Sequence, residues 1–349
     1  MNTFTQDIVD FICKMTTRVE ADQSWTPAID QALLRREERE GYVSRAFNPS
    51  SLCNGCMVQD AFKRLHDMWG DAQGFSPQAL RLFAAGHAVH DHFQSVILPE
   101  ITGDVGRLWG LWRCMSCHQV VEGFRPEEVC TNTVAYRDAD GVVHENNCDR
   151  VLARERVRWR YEEIRIRRPD PKNRGDAWMI RGRADGIWIK PTGHWRVLEM
   201  KSKERDQFDS MSRVRGKEPG TFVLKPRQGP LPLEKDTYQG KLYPAILVEQ
   251  GRQGIFPLDP DLCEGTSLLY LDRDRLADRA YEIAYDPDFL PMVVDPYIDS
   301  VHRLVELGQP LAGPKACSSR NTAKAKRCRN RLDCFPYKRT KKKKTPAHG

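Results

Sequence analysis

Three segments with a two-residue apolar period dominate the middle of the chain, and the second and third each carry a single acid among apolar residues. They cover 157–166, 178–189 and 195–202, and their pattern is typical of β-strands that bury one face. Gly182-Arg183-Ala184-Asp185-Gly186 falls in the second, which we interpret as one strand, and Glu199-Met200-Lys201 falls in the third. Ionisable groups on core strands cost free energy unless they are paired or bind a metal. The strands therefore predict a site as well as a core.

The types and spacing of Asp185, Glu199 and Lys201 favour metal-assisted hydrolysis. Alternation along a strand places Glu199 and Lys201 on one face and Met200 on the other. Two carboxylates suit a hard divalent cation such as Mg²⁺ or Mn²⁺, which polarises a scissile phosphate and lowers the pKa of an attacking water. Lys201 is then suited to hold that water and to offset the developing charge. The alternative is an inert Glu–Lys pair exposed at the edge of a strand.

Two further motifs flank these strands. Upstream, a predicted amphipathic helix from Pro77 to Leu98 contains Gly86-His87-Ala88-Val89-His90, a G-x-x-x-H pattern. Downstream, a predicted helix over 234–250 contains Gln239-Gly240-Lys241-Leu242-Tyr243, a Q-x-x-x-Y pattern whose ends lie one turn apart. The four motifs, in this order over residues 86–243, resemble those of the PD-(D/E)XK nuclease superfamily. The resemblance is to its RecB-like branch, which includes the CRISPR adaptation exonucleases.

The resemblance implies a role for each motif residue. It assigns a Mg²⁺ or Mn²⁺ ion to His90, Asp185, Glu199 and the carbonyl of Met200. It assigns Lys201 to the attacking water, and Gln239 and Tyr243 to the positioning of the substrate or of Lys201. His87 and His92 are expected to be surface histidines. The implied activity is hydrolysis of DNA phosphodiester bonds, as an exonuclease by analogy with relatives that degrade DNA ends.

Clustered cysteines, in a chain for which we predict no secretion signal, indicate metal sites rather than disulfides. Cys53 and Cys56 precede the predicted core, and Cys317, Cys328 and Cys334 follow it. RecB-like nucleases often carry an iron–sulfur cluster with one cysteine before the core and three after it, and a [4Fe–4S] cluster needs four thiolates. The resemblance implies Cys56, Cys317, Cys328 and Cys334 as ligands, with Cys53 as the alternative to Cys56. Cys317 lies farther from Cys328 than in the family, so zinc is the alternative metal.

A second set of cysteines lies between the two halves of the predicted core. Cys114-x-x-Cys117 resembles a zinc knuckle, and Cys130 and Cys148 are the thiols that complete four ligands for a tetrahedral Zn²⁺ ion. His118 lies nearby, and His144 is a reserve ligand. Closed coordination of this kind is structural, because it leaves no position for a water molecule.

These assignments divide the chain into segments around one α/β core. We predict a restriction-endonuclease-like PD-(D/E)XK core over 48–106 and 151–312, with a mixed central sheet flanked by helices. A zinc-ribbon-like insertion covers 107–150. The remaining segments are an N-terminal helical segment (1–47), a C-terminal cysteine-cluster segment (313–337) and a basic disordered tail (338–349).

The positive charge of the chain is concentrated near its C-terminus. The net charge is +7, and residues 315–344 hold thirteen Lys or Arg residues against one acid, Asp333. Such a run is most often a solvated, disordered tail. Its functional interpretation is binding to a phosphate backbone without sequence specificity, to which the arginine-rich stretch 154–168 is expected to contribute. The resemblance implies that the partner is DNA, single-stranded or at its ends. Recombination or replication proteins are further candidate partners.

Other classes of protein fit the sequence less well. No apolar run approaches the roughly 20 residues that span a bilayer, and no basic start precedes an apolar stretch at the N-terminus. We therefore expect a cytoplasmic protein without a membrane partner, and a stand-alone nuclease of this type suits a phage or mobile element in its host cell. One alternative is a non-catalytic DNA-binding or assembly protein that retains the fold. Another, a zinc-ribbon transcription factor, leaves Asp185, Glu199, Lys201 and Gln239 unexplained.

Overall fold

The computed structural model describes residues 30–32, 45–52, 55–67, 76–101, 105–126, 130, 132–137, 142–148, 159–203, 205–210, 213–215, 222–224, 232–272, 278–313 and 334. The chain divides into two compact units, one made of Met1–Val43 and Asp71–His87 and the other of Ser44–Gly70 and Ala88–Gly349. In the first unit, Arg81 Nε lies 3.2 Å from Asp30 Oδ1. Most of the predicted N-terminal segment 1–47 and the whole predicted tail 338–349 lie outside the described residues.

From residue 45 onward the described α-helices are α1 (Pro49–Leu52), α2 (Met57–Leu65), α3 (Pro77–His92), α4 (Arg205–Ser210), α5 (Glu234–Arg252) and α6 (Asp295–Glu306). The α3 helix continues as a π-helical turn, Phe93–Ile97, and a 3₁₀ turn, Leu98–Glu100. The sequence places this helix over Pro77–Leu98 and α5 over 234–250, and both predictions are within three residues of the observed ends.

The strands form one large sheet and three hairpins. They are β1 (Arg107–Cys114), β2 (Val120–Phe124), β3 (Thr133–Arg137), β4 (Val143–Asn147), β5 (Trp159–Glu162), β6 (Ile164–Arg168), β7 (Ile180–Ala184), β8 (Gly186–Ile189), β9 (Trp195–Lys203), β10 (Arg213–Arg215), β11 (Phe222–Leu224), β12 (Cys263–Asp272) and β13 (Asp278–Ala284). Seven strands form a sheet in the order β13-β12-β9-β8-β1-β2, with β5 paired to β1. The pairs β3–β4, β6–β7 and β10–β11 stand apart from it.

The large sheet is mixed. Strands β9 and β12 run parallel, whereas β8–β9, β1–β8 and β12–β13 are antiparallel. Parallel neighbours need a crossover connection, and α5, which packs on both strands, provides it. The protein is therefore a mixed α/β structure with a central mixed sheet flanked by helices, which confirms the α/β part of the prediction, while the PD-(D/E)XK core stays a prediction.

The two faces of β9 belong to different hydrophobic clusters. Trp195 and Val197 pack in one cluster with side chains of α5 and α6, while Leu198 and Met200 pack in another with β1 and three cysteines. The paired strands β8 and β12 cover the edges of β9. Its two faces are buried because one hydrophobic cluster packs against each of them. A buried Leu or Val side chain stabilises the fold by about 1.5–3 kcal/mol, so β9 is a firm base for polar residues on the same strand.

The structure and the sequence prediction differ at residue 107. We predicted that an insertion begins there, but β1 starts at Arg107 and lies inside the large sheet, where it pairs with β8 and β5. The physical reason is that β1 is apolar on both faces: Trp109 enters one cluster and Leu108 and Trp112 enter the other. Strands buried on both faces belong in the middle of a sheet. The β3–β4 hairpin, in contrast, lies off the sheet.

The segment 178–189 also differs from its prediction, since it forms two strands instead of one. β7 pairs with β6 in a separate hairpin, and β8 pairs with β9 and β1. Asp185 is the bend between them. None of the helices in the described ranges combines the length and the apolar character needed to cross a membrane.

Candidate metal-dependent active site

The bend at Asp185 carries its carboxylate to β9. Asp185 Oδ2 accepts a hydrogen bond of 2.5 Å from the backbone N–H of Met200. The β8–β9 ladder ends at the pair Gly186–Leu198, so this carboxylate binds β9 just beyond the last paired residues. The side-chain amide of Gln94 donates to the Asp185 carbonyl at 2.7 Å. Asp185 and Glu199 are 7% and 2% exposed, and the structure therefore buries two acids at one place.

Lys201 connects Glu199 to the Q-x-x-x-Y pattern of α5. Its Nζ forms a salt bridge with Glu199 Oε1 and donates to Gln239 Oε1 at 3.1 Å. Gln239 Nε2 in turn donates to the hydroxyl of Tyr243 at 2.9 Å. Two motifs that lie far apart in the sequence thus form one hydrogen-bonded chain.

His90 brings the upstream motif to the same place. Its Nδ1 lies 3.7 Å from Asp185 Oδ1, and its side chain is 19% exposed. His87 is exposed, whereas His92 is half-buried. Burial lowers the pKa of His92. The expectation of a surface histidine therefore fits His87 better than His92. Met200 contributes its backbone to the site, since its side chain is buried on the opposite face of β9.

The electrostatics of Glu199 suit a cation. Burial, followed by the charge of Asp185, raises the pKa of Glu199 to about 8, against the opposing charge of Lys201. Glu199 Oε2 is buried and has no hydrogen-bond partner among the described residues. A buried polar atom without a partner costs about 1–3 kcal/mol. A divalent cation between the two carboxylates would satisfy this atom and offset their repulsion, so the donor set fits a hard metal ion.

Three residues near this site have no counterpart in the sequence motifs. Asp236, in the first turn of α5, accepts a hydrogen bond of 2.8 Å from the Tyr270 hydroxyl and lies 3.3 Å from Lys203 Nζ. Lys203 continues the face of β9 that carries Glu199 and Lys201, so strand alternation was a usable signal. Asp236 lies one turn before Gln239 on α5, which was a second usable signal.

The second cysteine set forms a compact cluster. Ligand atoms of Cys114, Cys117, Cys130 and Cys148 all lie within 4.8 Å of one another. Sγ–Sγ distances are 3.5 Å for Cys114–Cys148 and 3.6 Å for Cys117–Cys130, too long for a disulfide bond. These four thiols can hold a metal ion, as predicted. His118 is exposed, and the side chain of the reserve ligand His144 lies outside the described residues.

Local backbone structure builds this cluster. The N–H of Cys114 donates to the carbonyl of Gln119, and the N–H of His118 donates to the carbonyl of Cys114, which closes a tight turn after β1. His118 has a φ of 63°, in the left-handed region that few non-glycine residues adopt. The N–H of Cys148 donates to the carbonyl of Asn132. The turn and the β3–β4 hairpin therefore bring the two halves of the cluster together.

The thiols differ in acidity. Burial, reinforced by the neighbouring thiols, raises the pKa of Cys130 to about 11 and that of Cys148 to about 12. Burial acts in the same direction on Cys117, but hydrogen bonds from the Gln119 backbone and the Asn132 side chain outweigh it and lower that pKa to about 7. Metal binding must therefore displace protons from the cluster.

The cysteines predicted to hold an iron–sulfur cluster are only partly described. Cys56 precedes α2 and is half-buried, and Cys334 is half-buried as well. Cys53, Cys317 and Cys328 lie outside the described residues. The proposed ligand set stays a prediction.

Comparison with known proteins adds little to this geometry. No protein-family model matches the chain, and no curated protein matches it. A solved structure described as "Crystal structure of SSO0001" aligns over 81% of this chain and 86% of that chain, with 14% sequence identity and a TM-score of 0.31. A TM-score this low carries no argument about fold or function.

Proposed function

We propose that this protein is a metal-dependent DNA nuclease with a PD-(D/E)XK core. The observation that carries the proposal is the buried, unpartnered Oε2 of Glu199 beside the carboxylate of Asp185. Lys201 and His90 lie against the same two acids. A fold that needed only stability would pair or replace such a group. Exonuclease action and DNA as the substrate rest on the family resemblance of the motifs.

The residues that would hold a Mg²⁺ or Mn²⁺ ion are Asp185, Glu199 and His90, with the carbonyl of Met200. Such an ion, when bound, polarises the scissile phosphate and lowers the pKa of a water molecule. Because the pKa of Glu199 is raised to about 8, a cation that binds there would displace its proton. The carboxylate would then carry the negative charge that the cation requires. The hydrogen bond from the Met200 N–H holds Asp185 in place, so the metal-binding geometry is preorganised.

Lys201 would hold the attacking water and offset the negative charge that develops on the phosphate. Its ammonium is oriented by two acceptors, Glu199 Oε1 and Gln239 Oε1. Tyr243 acts on Lys201 only through Gln239. Its hydroxyl accepts a hydrogen bond from the Gln239 amide nitrogen, so the amide oxygen of Gln239 faces the lysine. Gln239 and Tyr243 are therefore positioning residues.

We further propose that Zn²⁺ occupies the four-cysteine cluster. A tetrahedral ion with Zn–S bonds of about 2.3 Å separates its sulfurs by about 3.8 Å. The separations of 3.5 and 3.6 Å in the cluster are close to that value. The cysteines share a hydrophobic cluster with Met200, on the face of β9 opposite Glu199. Zinc there would support the strand that carries the site without contacting the substrate.

A [4Fe–4S] cluster is our proposal for Cys56, Cys317, Cys328 and Cys334, with Cys53 as the alternative to Cys56. The position of Gly313 supports this proposal. Gly313 lies so close to Met57, the residue after Cys56, that a side-chain Cβ at position 313 would be 3.6 Å from the Cβ of Met57. Cys317 follows four residues later, which is a reach of at most about 14 Å. The chain thus leaves the core beside the first predicted ligand, and zinc is the alternative metal for this set.

The nuclease proposal is tested by cleavage assays with end-labelled linear DNA and circular single-stranded DNA. With Mg²⁺ or Mn²⁺, the protein is expected to shorten the linear strands and to leave the circles intact. Asp185→Asn and Glu199→Gln are expected to reduce cleavage to background, because each removes the negative charge of a proposed metal ligand. Lys201→Ala is expected to lose about 100-fold in rate.

Asp278→Asn is the matched control, since it removes an exposed acid from β13 and should cleave normally. Circular dichroism and denaturant unfolding show whether each variant is folded. Normal cleavage by both Glu199→Gln and Lys201→Ala would overturn the assignment. DNA binding by the folded wild-type protein without cleavage in either ion would favour the non-catalytic DNA-binding protein instead.

A further inference from the structure

The β6–β7 hairpin carries two pairs of arginines that face each other across the strands. Arg165 is in register with Arg183, and Arg167 with Arg181. The alternating residues Ile164, Ile166, Ile180 and Ala184 are buried, so the arginines share the other face. Like charges directly opposite each other destabilise a strand pair. The hairpin holds this arrangement twice in succession.

Neighbouring acids do not balance these charges. Arg183 lies 3.6 Å from Glu163, Arg181 lies 3.3 Å from Asp176, and Arg167 lies 3.8 Å from the same aspartate. The side chains of Arg167, Arg183 and Asp176 are 62%, 66% and 74% exposed. Exposed ion pairs of this kind contribute about 0–1 kcal/mol. Arg165 forms no ion pair with any residue in the described part of the chain.

The hairpin leads directly to the candidate metal site. Strand β7 ends at Ala184, and Asp185 follows it. At a rise of about 3.3 Å per residue, Arg183 lies about 7 Å along the strand from Asp185, and Arg181 about 13 Å. On the other strand, Glu163 immediately precedes β6. The arginines therefore form a positive track that begins beside the proposed metal ligands.

We propose that these four residues, the arginine hairpin, bind the phosphate backbone of the DNA strand that enters the active site. The proposal rests on the proposed nuclease function and names the surface that delivers its substrate. A guanidinium forms paired hydrogen bonds with phosphate oxygens, and phosphate binding would remove the repulsion within each arginine pair. Contacts of this kind set the position of the strand without reading its sequence.

The test measures binding of a fluorescent single-stranded DNA in EDTA at several salt concentrations. Each phosphate contact contributes about 0.7 to the slope of log affinity against log salt for single strands. We expect Arg165→Gln and Arg183→Gln each to reduce the slope by about 0.7, and the double variant by about 1.4. Arg303→Gln, which removes one exposed charge from α6, is the matched control and should leave the slope unchanged.

The outcomes separate this proposal from the nuclease proposal, because binding in EDTA does not depend on catalysis. A shallower slope in the hairpin variants alone supports the arginine hairpin, even if the wild-type protein does not cleave. An unchanged slope in folded hairpin variants overturns it, even if the wild-type protein cleaves normally. An equal loss in Arg303→Gln also overturns it, since net charge alone would then explain the effect. Unfolding curves establish that each variant is folded.

Discussion

Two lysines on β9 depend on different acids. Lys201 is paired with Glu199 in the candidate active site, and Lys203 is paired with Asp236, which also accepts the Tyr270 hydroxyl. Asp236 and Lys203 are 3% and 8% exposed. Burial lowers the pKa of Lys203, while the charge of Asp236 opposes that change. This second pair ties the first turn of α5 to β9, one turn before Gln239.

Removing one member of that pair is therefore expected to be costly. Asp236→Ala leaves a buried ammonium without its partner, and we expect it to lower the free energy of unfolding by about 3–5 kcal/mol. Adding Lys203→Met to that variant removes the stranded charge and should restore more than half of the loss. Denaturant unfolding of the wild-type protein, both single variants and the double variant measures the coupling.

A coupling energy below about 0.5 kcal/mol would mean that the two residues act independently and would contradict this account. Lys241→Met is a suitable control, because Lys241, on α5, pairs with Asp286 and both of these side chains are about one-third exposed. We expect that change to cost less than about 1 kcal/mol.

At these positions the sequence predicted residue types better than it predicted contacts. Glu199 and Lys201 follow from strand alternation, while Gln239 and Tyr243 were implied by the resemblance of the motifs. The structure joins all four in one hydrogen-bonded chain. Asp236 and Gln94 were not predicted, although Asp236 lies one turn before Gln239 on α5. Their importance depends on burial and on distant partners, which a single sequence does not display. The position of Asp185 at a bend was missed because glycine and alanine beside it continue an apolar pattern.

The strand β9 separates two kinds of chemistry. One face carries Glu199 and Lys201, and the opposite face packs Met200 in the hydrophobic cluster that includes Cys114 and Cys148. The C-x-x-C spacing predicted the knuckle, but we did not predict that β1 is a strand of the large sheet. Apolar residues on both faces of β1 were the available signal, and the cysteines that follow it obscured that signal. A metal ion bound by these cysteines would therefore act on the sheet itself.

Zinc affinity of the cluster is expected to rise steeply with pH. The raised pKa values of Cys130 and Cys148, about 11 and 12, keep both thiols protonated near neutrality. A metal ion must displace these protons, so each contributes about tenfold in apparent affinity per pH unit. Affinity should therefore rise by at least about 100-fold between pH 6.5 and 7.5. Competition with a chromophoric zinc chelator at these two pH values measures it.

Two substitutions control this prediction. Cys148→Ser removes one displaced proton and one ligand, so both the affinity and its dependence on pH should fall. Cys263→Ser should change neither, since Cys263 lies outside the cluster although burial also raises its pKa to about 12. An affinity that does not change with pH would show that the thiols are not the ligands.

At the scale of the whole molecule, the α/β class and the helices α3 and α5 could be predicted from periodicity, although β7 and β8 were predicted as one strand. The pairing of strands could not, because β9 and β12 are adjacent in the sheet although α5 separates them in sequence. We predicted the segment boundaries at residues 107 and 150 from the positions of the cysteines. Which strands join the sheet depends instead on which of their faces are apolar. The C-terminal cysteines also concern the whole molecule, because the last described residues of the core, near Gly313, lie beside Met57.

Metal content is expected to divide between the two cysteine sets. Protein purified without oxygen should be brown, with a broad visible absorbance that bleaches on reduction, and should contain about four iron atoms and one zinc ion per chain. Substitution of Cys328 or Cys334 by serine should remove iron and keep zinc, while substitution of Cys114 or Cys117 should do the reverse. Elemental analysis and absorbance spectra measure both metals in each variant.

Comparison of Cys53→Ser with Cys56→Ser then identifies the ligand near α2. We expect Cys56→Ser to lose the iron and Cys53→Ser to keep it, because Cys56 adjoins Met57, against which the C-terminal end of the core packs. Anaerobic protein with two zinc ions and no iron would contradict the cluster assignment. Such a result would leave the nuclease proposal standing, since His90, Asp185, Glu199 and Lys201 form their site without any cysteine.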